Sequence, residues 1–244
     1  MNILQAIIES KDNKRYKELL KLKKGNKEEC LFLVQGEDLV EEAKRSEKLK
    51  ELIVMEDDEV PCHLSSVPTI RLKRELYREL AEFQSLPKFM GVAKNSLQTI
   101  DEAGDSVIYL DGVQDPGNCG TIIRTALAFG YSAVALSQDS VSPFNSKVVQ
   151  STKGALFHLP LIKEDLKSFF ERGYHIYLTA LEGVDERTIS KLEAPFVLVF
   201  GNEGQGVKKE NLKLGKSLRI EMSGIDSLNV GVAAGIFMYR FRKE

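Results

Sequence analysis

Short apolar runs alternate with amphipathic stretches along most of the chain. In the second half the compact apolar runs lie at residues 107–111, 132–136, 174–179 and 196–200, and another ends in Ile220-Glu221-Met222. Runs of this kind are typical of strands buried on both faces of a parallel sheet. The stretches between them predict helices at 119–129 and 164–171, and a last helix from Ser227 to about Phe241. This alternation predicts an α/β fold, a mainly parallel sheet with helices on both faces.

The first half has the same alternation on a smaller scale. Strands are predicted at 30–34, 52–55 and 67–70, with helices from Asp38 through the 44–50 region and at 73–82. Residues 87–105 mix turn-forming and polar residues, which is typical of a connection between domains. We therefore predict a first domain at 1–95, a linker at 96–104 and a second domain at 105–244.

Composition narrows the class of protein without naming a function. The 244 residues carry a net charge of −2, so the chain as a whole gives no nucleic-acid signal. Its three cysteines and three histidines are scattered, which argues against a structural zinc site and favours a reducing compartment. The first residues lack the basic start of a signal peptide, and no apolar run has membrane-spanning length. We expect a cytoplasmic protein without a metal.

One local stretch is strongly basic. Residues 11–27 hold eight Lys or Arg and two acidic residues, with Leu19, Leu20 and Leu22 threaded through them. Two interpretations remain open: a helix with a solvated charged face, or a helix that contacts a phosphate backbone.

A glycine-rich turn at residues 201–206 follows the apolar run at 196–200. It is not a Walker motif, because Val207 follows Gly206 and no Ser or Thr follows Lys208. A tight turn would explain the glycines but not Glu203, a carboxylate near the edge of the sheet. Because ligands of α/β proteins bind beyond the carboxyl ends of strands, we expect a small organic cofactor there.

Polar residues mark the starts of two predicted helices. Asn118 is a good N-cap for the helix at 119–129, and Arg124 in its second turn is predicted to lean back over Gly120. A cation in that position suits a bound anion such as a phosphate, although a surface salt bridge is the simpler alternative. Ser227 is predicted as the N-cap of the last helix, while Asn229 in its first turn is hard to explain by packing.

Three segments together resemble the SpoU (TrmH-like) family of RNA ribose 2′-O-methyltransferases. They are NCGTIIRTA at 118–126, FGNEGQGV at 200–207, and IEMSG through SLNV at 220–230. Residues 31–37 also resemble the FLVEG stretch of the L30e-like substrate-binding domain found in members that act on 23S ribosomal RNA. The resemblance extends over nearly the whole chain.

The resemblance implies an S-adenosyl-L-methionine (AdoMet)-dependent enzyme with a trefoil-knotted C-terminal domain, acting as a homodimer on RNA. Arg124 matches the family's catalytic arginine, and Asn118, Glu203, Ser227 and Asn229 match its other polar active-site positions. The implied cofactor-binding residues are Thr179, Ala180, Leu181, Gly201, Asn202, Gly204, Ile220, Met222 and Leu228. Glu221 departs from the proline usual in the family, so we expect a less rigid loop there.

Several alternatives stay open. Arg124 is either the base or a cation that orients the substrate, since a free guanidinium stays protonated above about pH 12. The substrate is 23S rRNA or, alternatively, transfer RNA. A non-catalytic RNA-binding protein on the same fold is a further alternative.

Overall fold

The computed structural model describes residues 7–23, 31–81 and 86–242. The chain divides into two compact units. The first contains the described residues up to Ser96 together with Phe144–Phe157, and the second contains Leu97–Pro143 and the described residues from His158 onward. The segment Phe144–Phe157 thus groups with the first unit, whereas the sequence placed it with the residues after 104. The assignment of the two units to substrate binding and methyl transfer stays a prediction.

The first unit is built on a mixed sheet of four strands in the order β1-β4-β2-β3. These strands are β1 (Leu31–Gln35), β2 (Leu49–Met55), β3 (Thr69–Leu72) and β4 (Met90–Lys94). Only β2 and β3 run parallel, while β4 lies antiparallel to both β1 and β2. The helices are α1 (Lys14–Lys23), α2 (Glu37–Arg45), α3 (Arg74–Leu80) and, from later in the chain, α5 (Ser146–Thr152).

Aromatic stacking joins the later segment to the first sheet. The buried ring of Phe32 in β1 lies 5.1 Å from that of Phe144 and 6.0 Å from that of Phe157, measured between ring centres. Gln150 of α5 donates to the backbone oxygen of Gln35 at 2.9 Å. Asn145 caps α5 by accepting from the backbone N–H of Lys147.

The basic stretch forms α1, which buries Tyr16, Leu19 and Leu22. Three of its cations pair with carboxylates of the same unit. Lys11 lies 2.7 Å from Glu79, Lys17 lies 2.8 Å from Asp12, and Arg15 contacts Glu18 and Glu51. For these three cations, the pairing favours the interpretation as a charged face in solvent. Residues 24–27 of the stretch lie outside the described residues.

The second unit contains a sheet of six strands in the order β10-β8-β9-β5-β6-β7. They are β5 (Ser106–Asp111), β6 (Ala133–Leu136), β7 (Leu161–Lys163), β8 (His175–Asp185), β9 (Phe196–Gly201) and β10 (Lys216–Arg219). Every pairing between them is parallel, and the central strands β5 and β9 are completely buried. The prediction of a mainly parallel α/β sheet is confirmed.

Helices α4 (Pro116–Ala128), α6 (Leu166–Glu171) and α7 (Val230–Arg240) accompany this sheet, and α4 packs against α7. Phe237 of α7 is buried with its ring 6.1 Å from that of Phe200 in β9. Tyr131 donates to the backbone oxygen of Met238 at 3.1 Å. These contacts anchor one face of α7 to the unit. None of the helices in the described part of the chain is long and apolar enough to cross a membrane.

Several predicted boundaries were wrong. The sequence missed β4, which lies between β1 and β2, because Gly91 and Ala93 are poor strand formers. Gly91 is needed there, since a Cβ atom would lie 3.0 Å from the backbone oxygen of Glu51. The helix predicted to continue through residues 44–50 ends at Arg45.

Two errors concern the candidate site. The last helix begins at Val230 rather than at Ser227, with Asn229 as its N-cap. The strand expected to end in Ile220-Glu221-Met222 ends at Arg219. Glu221 lies beyond it and forms a 2.9 Å ion pair with Arg219. The sequence pattern did not mark the end of the strand or the start of the helix. The loop residues beside each element continue its pattern of apolar and polar positions.

We predict that Gly201→Ala lowers the free energy of unfolding by about 1–3 kcal/mol, because a Cβ atom at this position would overlap the backbone of Gly206 and Val207. Gly204→Ala is the matched control in the same turn, where the nearest atom to an added Cβ is 3.7 Å away. Urea unfolding followed by circular dichroism measures both variants. Equal stability of the two would contradict the steric argument.

Candidate active site

The glycine-rich turn is closed by its own backbone and by one amide side chain. Asn202 and Gly206 exchange two backbone hydrogen bonds of 2.9 Å, and Gly206 has a φ of 71°. The side-chain oxygen of Asn202 accepts from the N–H groups of Gly204 and Gln205, while its Nδ2 donates to the backbone oxygen of Gly112. Asn202 therefore shapes the turn and joins it to the loop after β5.

Glu203 binds the loop that leads into α4. Its carboxylate accepts from the backbone N–H of Gln114 at 3.2 Å and of Asp115 at 3.1 Å. It also accepts from Nδ2 of Asn118 at 3.1 Å. Burial alone would raise the pKa of Glu203, but these hydrogen bonds outweigh that effect and lower it below its usual value. The carboxylate is therefore ionised at neutral pH.

Asn118 extends the contact to the last helix. Its Oδ1 accepts from Nδ2 of Asn229 at 3.0 Å. Asn229 in turn caps α7, accepting from the N–H groups of Gly231 and Val232 at 2.9 and 3.3 Å. Glu203, Asn118 and Asn229 thus form one hydrogen-bonded chain between the turn after β9, the start of α4 and the start of α7.

The structure corrects the assigned cap of α4. Its N-cap is Asp115, whose carboxylate accepts from the N–H of Asn118 at 2.8 Å, with Pro116 as the first helical residue. Pro at that position is pre-organised for a helix, so the Asp115-Pro116 pair was the available signal. Sequence reasoning also missed that the backbone of residues 114 and 115 holds Glu203. Every residue except proline has a backbone N–H, so residue type does not mark such a donor.

Arg124 and Ser227 are not part of this hydrogen-bonded chain. Since α4 begins at Pro116, Arg124 is in the third turn and not, as predicted, in the second. The side chain is exposed and makes no hydrogen bond or ion pair with residues that the structure describes. Ser227 is exposed in the loop before Asn229.

The predicted cofactor residues lie within or just after three neighbouring parallel strands. Thr179, Ala180 and Leu181 lie in β8, Gly201 ends β9 with Asn202 and Gly204 in the turn beyond it, and Ile220 and Met222 follow β10. Leu228 lies just before the cap of α7 and is half-buried. Ile220 and Met222 are half-buried as well. Because these strands are parallel and adjacent, their carboxyl ends meet at one edge of the sheet.

An irregularity in β8 was not predicted. Leu178 pairs with Ser217 of β10, but the next residue of β10, Leu218, pairs with Val184. Residues 179–183 therefore bulge out of the pairing. Thr179 is tied back by donating to the backbone oxygen of Val199 at 2.9 Å, whereas Leu181 is 64% exposed. The bulge presents the large apolar side chain of Leu181 to solvent, at the edge of the sheet where the predicted cofactor residues lie.

Comparison with known proteins identifies this arrangement. Residues 105–239 match the model of the SpoU rRNA Methylase family. The chain belongs to this family. The match covers the six-stranded unit and includes the turn, both asparagines and Arg124.

Relatives extend the likeness beyond the family domain. The chain is 35% identical over 246 residues to the 23S rRNA (guanosine(2553)-2′-O)-methyltransferase RlmP of Bacillus subtilis (strain 168), covering 96% of this chain and 98% of that one. It is 34% identical over 140 residues to the 23S rRNA (guanosine-2′-O-)-methyltransferase RlmB of Vibrio parahaemolyticus, covering 54% of this chain and 57% of that one.

A crystal structure of an AdoMet-bound rRNA methyltransferase from Sinorhizobium meliloti has a TM-score of 0.83 and 27% identity, covering 96% of both chains. The likeness to solved SpoU methyltransferases confirms the expected fold class, a knotted α/β fold of the SPOUT type with a smaller N-terminal α/β part.

Among the residues that the structure describes, no group of side chains is suited to hold a metal ion. The buried thiol of Cys119 lies in α4 beside the network. Burial, together with the charges of Glu203 and Asp115, raises its pKa to about 12. Cys119 is therefore a protonated packing residue and not a nucleophile.

We predict that iodoacetamide modifies the exposed Cys62 and leaves Cys119 unmodified in the native protein, because the reactive form is the thiolate. Peptide mass spectrometry measures the modification of each residue. Denatured protein is the control, in which both must react. Labelling of native Cys119 as fast as Cys62 would contradict the assignment.

Proposed function

We propose that this SpoU family member transfers a methyl group from AdoMet to a ribose 2′-hydroxyl of RNA, with 23S ribosomal RNA as the substrate. One observation carries the proposal. The three segments that resemble the family are joined by direct hydrogen bonds through Glu203, Asn118 and Asn229. The printed activities of RlmP and RlmB support the choice of 23S rRNA.

The residues present fit AdoMet. The carboxyl ends of β8, β9 and β10 offer apolar side chains that are not fully packed, Leu181, Ile220 and Met222, which suit the faces of an adenine ring. Gly201 has no side chain to cover the backbone. In our proposal these residues and Leu228 hold the cofactor, while the side chain of Asn202 acts by shaping the turn. The AdoMet-bound relative from Sinorhizobium meliloti supports this cofactor.

A ribose 2′-hydroxyl is a weak nucleophile that must lose its proton as it attacks. AdoMet, when bound, supplies a methyl group with a good leaving group. The chain's tasks are therefore to position the hydroxyl and to direct its proton. Glu203, Asn118 and Asn229 use their polar atoms on one another, so we assign them to holding the site in shape. Arg124 is unengaged by the described residues, so we assign it to the substrate, as base or as orienting cation.

We predict that purified protein methylates unmodified 23S rRNA from labelled AdoMet and that Arg124→Ala reduces kcat by about 100-fold or more. Lys167→Ala is the matched control, since it also removes one exposed cation of the same unit. A ribose-specific readout, such as resistance of the modified linkage to alkaline hydrolysis, distinguishes 2′-O from base methylation.

The pH–rate profile separates the two roles of Arg124. Loss of the basic limb in Arg124→Lys favours the base, and an unchanged profile with a lower rate favours orientation. Absence of ribose methylation on any RNA, with Arg124→Ala equal to wild type, would overturn the proposed function.

We further propose that the enzyme is a homodimer that pairs through α7. One face of this helix carries Val232, Ile236 and Tyr239, which are 54, 39 and 58% exposed. Their spacing of three and four residues places them on one side of the helix, where they line a cavity of about 600 Å³. An apolar face of this kind marks an interaction surface. The family resemblance supports a second copy as the partner.

Sedimentation velocity tests the dimer. We predict that wild type sediments as a dimer and that Ile236→Asp is monomeric and loses methylation, because the charge would be buried in the interface. Phe170→Asp is the control, since Phe170 is an exposed apolar residue on a different helix. A monomeric wild type, or an Ile236→Asp dimer, would exclude this surface. The cytoplasmic location and the role of the first unit in RNA binding stay predictions.

A further inference from the structure

A fully buried carboxylate lies at the carboxyl end of the central strand. Asp111 ends β5 with 0% exposure. Its Oδ2 accepts from the backbone N–H of Lys208 and from Nδ2 of Asn211, both at 2.9 Å. Its Oδ1 lies 3.4 Å from Nζ of Lys208. Buried carboxylates are costly unless paired, so this position needs an explanation.

Lys208 stands between two carboxylates. Its Nζ also donates to Oδ1 of Asp139 at 2.8 Å, and Asp139 accepts there from Oγ of Ser137 at 2.7 Å. Burial alone would lower the pKa of Lys208, but the hydrogen bond to Asp139 and the charges of Asp139 and Asp111 outweigh it and raise the pKa. The hydrogen bonds from Lys208 and Ser137 lower the pKa of Asp139. Lys208 and Asp139 are therefore both charged at neutral pH.

The two segments joined by this cation are the ones that carry the site. Lys208 follows the turn that holds Glu203. Asp111 precedes Gly112, whose backbone oxygen accepts from Asn202 and whose N–H donates to Ser137 and Ser140. Gln114, two residues further on, donates its N–H to Glu203 and its side chain to the backbone oxygen of Asp139.

We propose that Lys208 is a positioning residue for methyl transfer: it neutralises Asp111 and Asp139 together and thereby holds the loop at 112–115 against the turn at 202–206. The inference rests on the proposed function for its effect on rate. It adds a residue outside the segments on which the family resemblance was drawn. The cation acts through Glu203 and Asn118 and need not touch the substrate.

Lys208→Met, Lys208→Arg and Lys209→Met form the test set. Met keeps much of the length of Lys but removes the charge, Arg keeps the charge, and Lys209 is the exposed neighbour. We expect Lys208→Met to lower kcat by about 100-fold, as a loosened site does. Lys208→Arg should recover most of the rate, and Lys209→Met should match wild type.

A double variant tests the pairing of Lys208 with Asp111. In Lys208→Met the buried carboxylate of Asp111 loses the cation that lies 3.4 Å from it. Adding Asp111→Asn to Lys208→Met removes that carboxylate, so the double variant should regain part of the rate that Lys208→Met loses.

Hydrogen exchange gives a readout that does not depend on activity. The N–H groups of Gln114 and Asp115, which donate to Glu203, should exchange faster in Lys208→Met than in Lys208→Arg at the same pH, while core amides of β5 stay protected. If wild type proves inactive, the proposed function fails, but this exchange still decides the role of Lys208. Unchanged exchange, or a Lys208→Met with wild-type kcat, would overturn the inference.

Discussion

The structure of the site depends on one carboxylate that is satisfied mainly by backbone. Glu203 accepts from two consecutive N–H groups and from Asn118, and these donors come from a loop almost ninety residues earlier in the chain. A carboxylate bound in this way orders whatever it holds, because leaving any of its donors unpaired has a cost. It also stays ionised, which makes it a poor proton acceptor. In the proposed function, Glu203 therefore fixes geometry and does not act as the base.

Close approach around glycines is the second constraint, and it is strictest at Gly201. At Gly201 the turn folds back so tightly that a Cβ atom would overlap the backbone of Gly206 and Val207. At Gly231 an added Cβ would lie 3.2 Å from Oδ1 of Asn229 and 3.4 Å from Oδ1 of Asn118. The first glycine brings Glu203 over the loop, and the second lets α4 and α7 meet at their starts. Both serve the hydrogen-bonded chain.

Much of the fold followed from the sequence, because buried parallel strands have a clear apolar signature. The runs at 107–111 and 196–200 coincide closely with β5 and β9. In contrast, β4 was missed because Gly91 and Ala93 have low strand propensity, although Gly91 suits the close approach of the neighbouring strand. In the site, residue types indicated Glu203, Asn118 and Asn229, but their mutual contacts and the cap at Asp115 depend on distant backbone. The return of Phe144–Phe157 to the first unit has no local signal either.

The polar side chains of the site fall into two sets: three that bond to one another, and Arg124, which lies outside their network. Glu203, Asn118 and Asn229 spend their hydrogen-bonding capacity on one another and on helix caps, so changing any one of them disturbs the other two. Arg124 rises from the same helix as Asn118 and forms no such bond among the described residues. Anchoring the start of α4 fixes the position of a side chain two turns later, because a helix transmits position rigidly over that distance. The network thus fixes the start of the helix that carries Arg124. In the proposed function, that guanidinium meets a phosphate or a hydroxyl of the substrate.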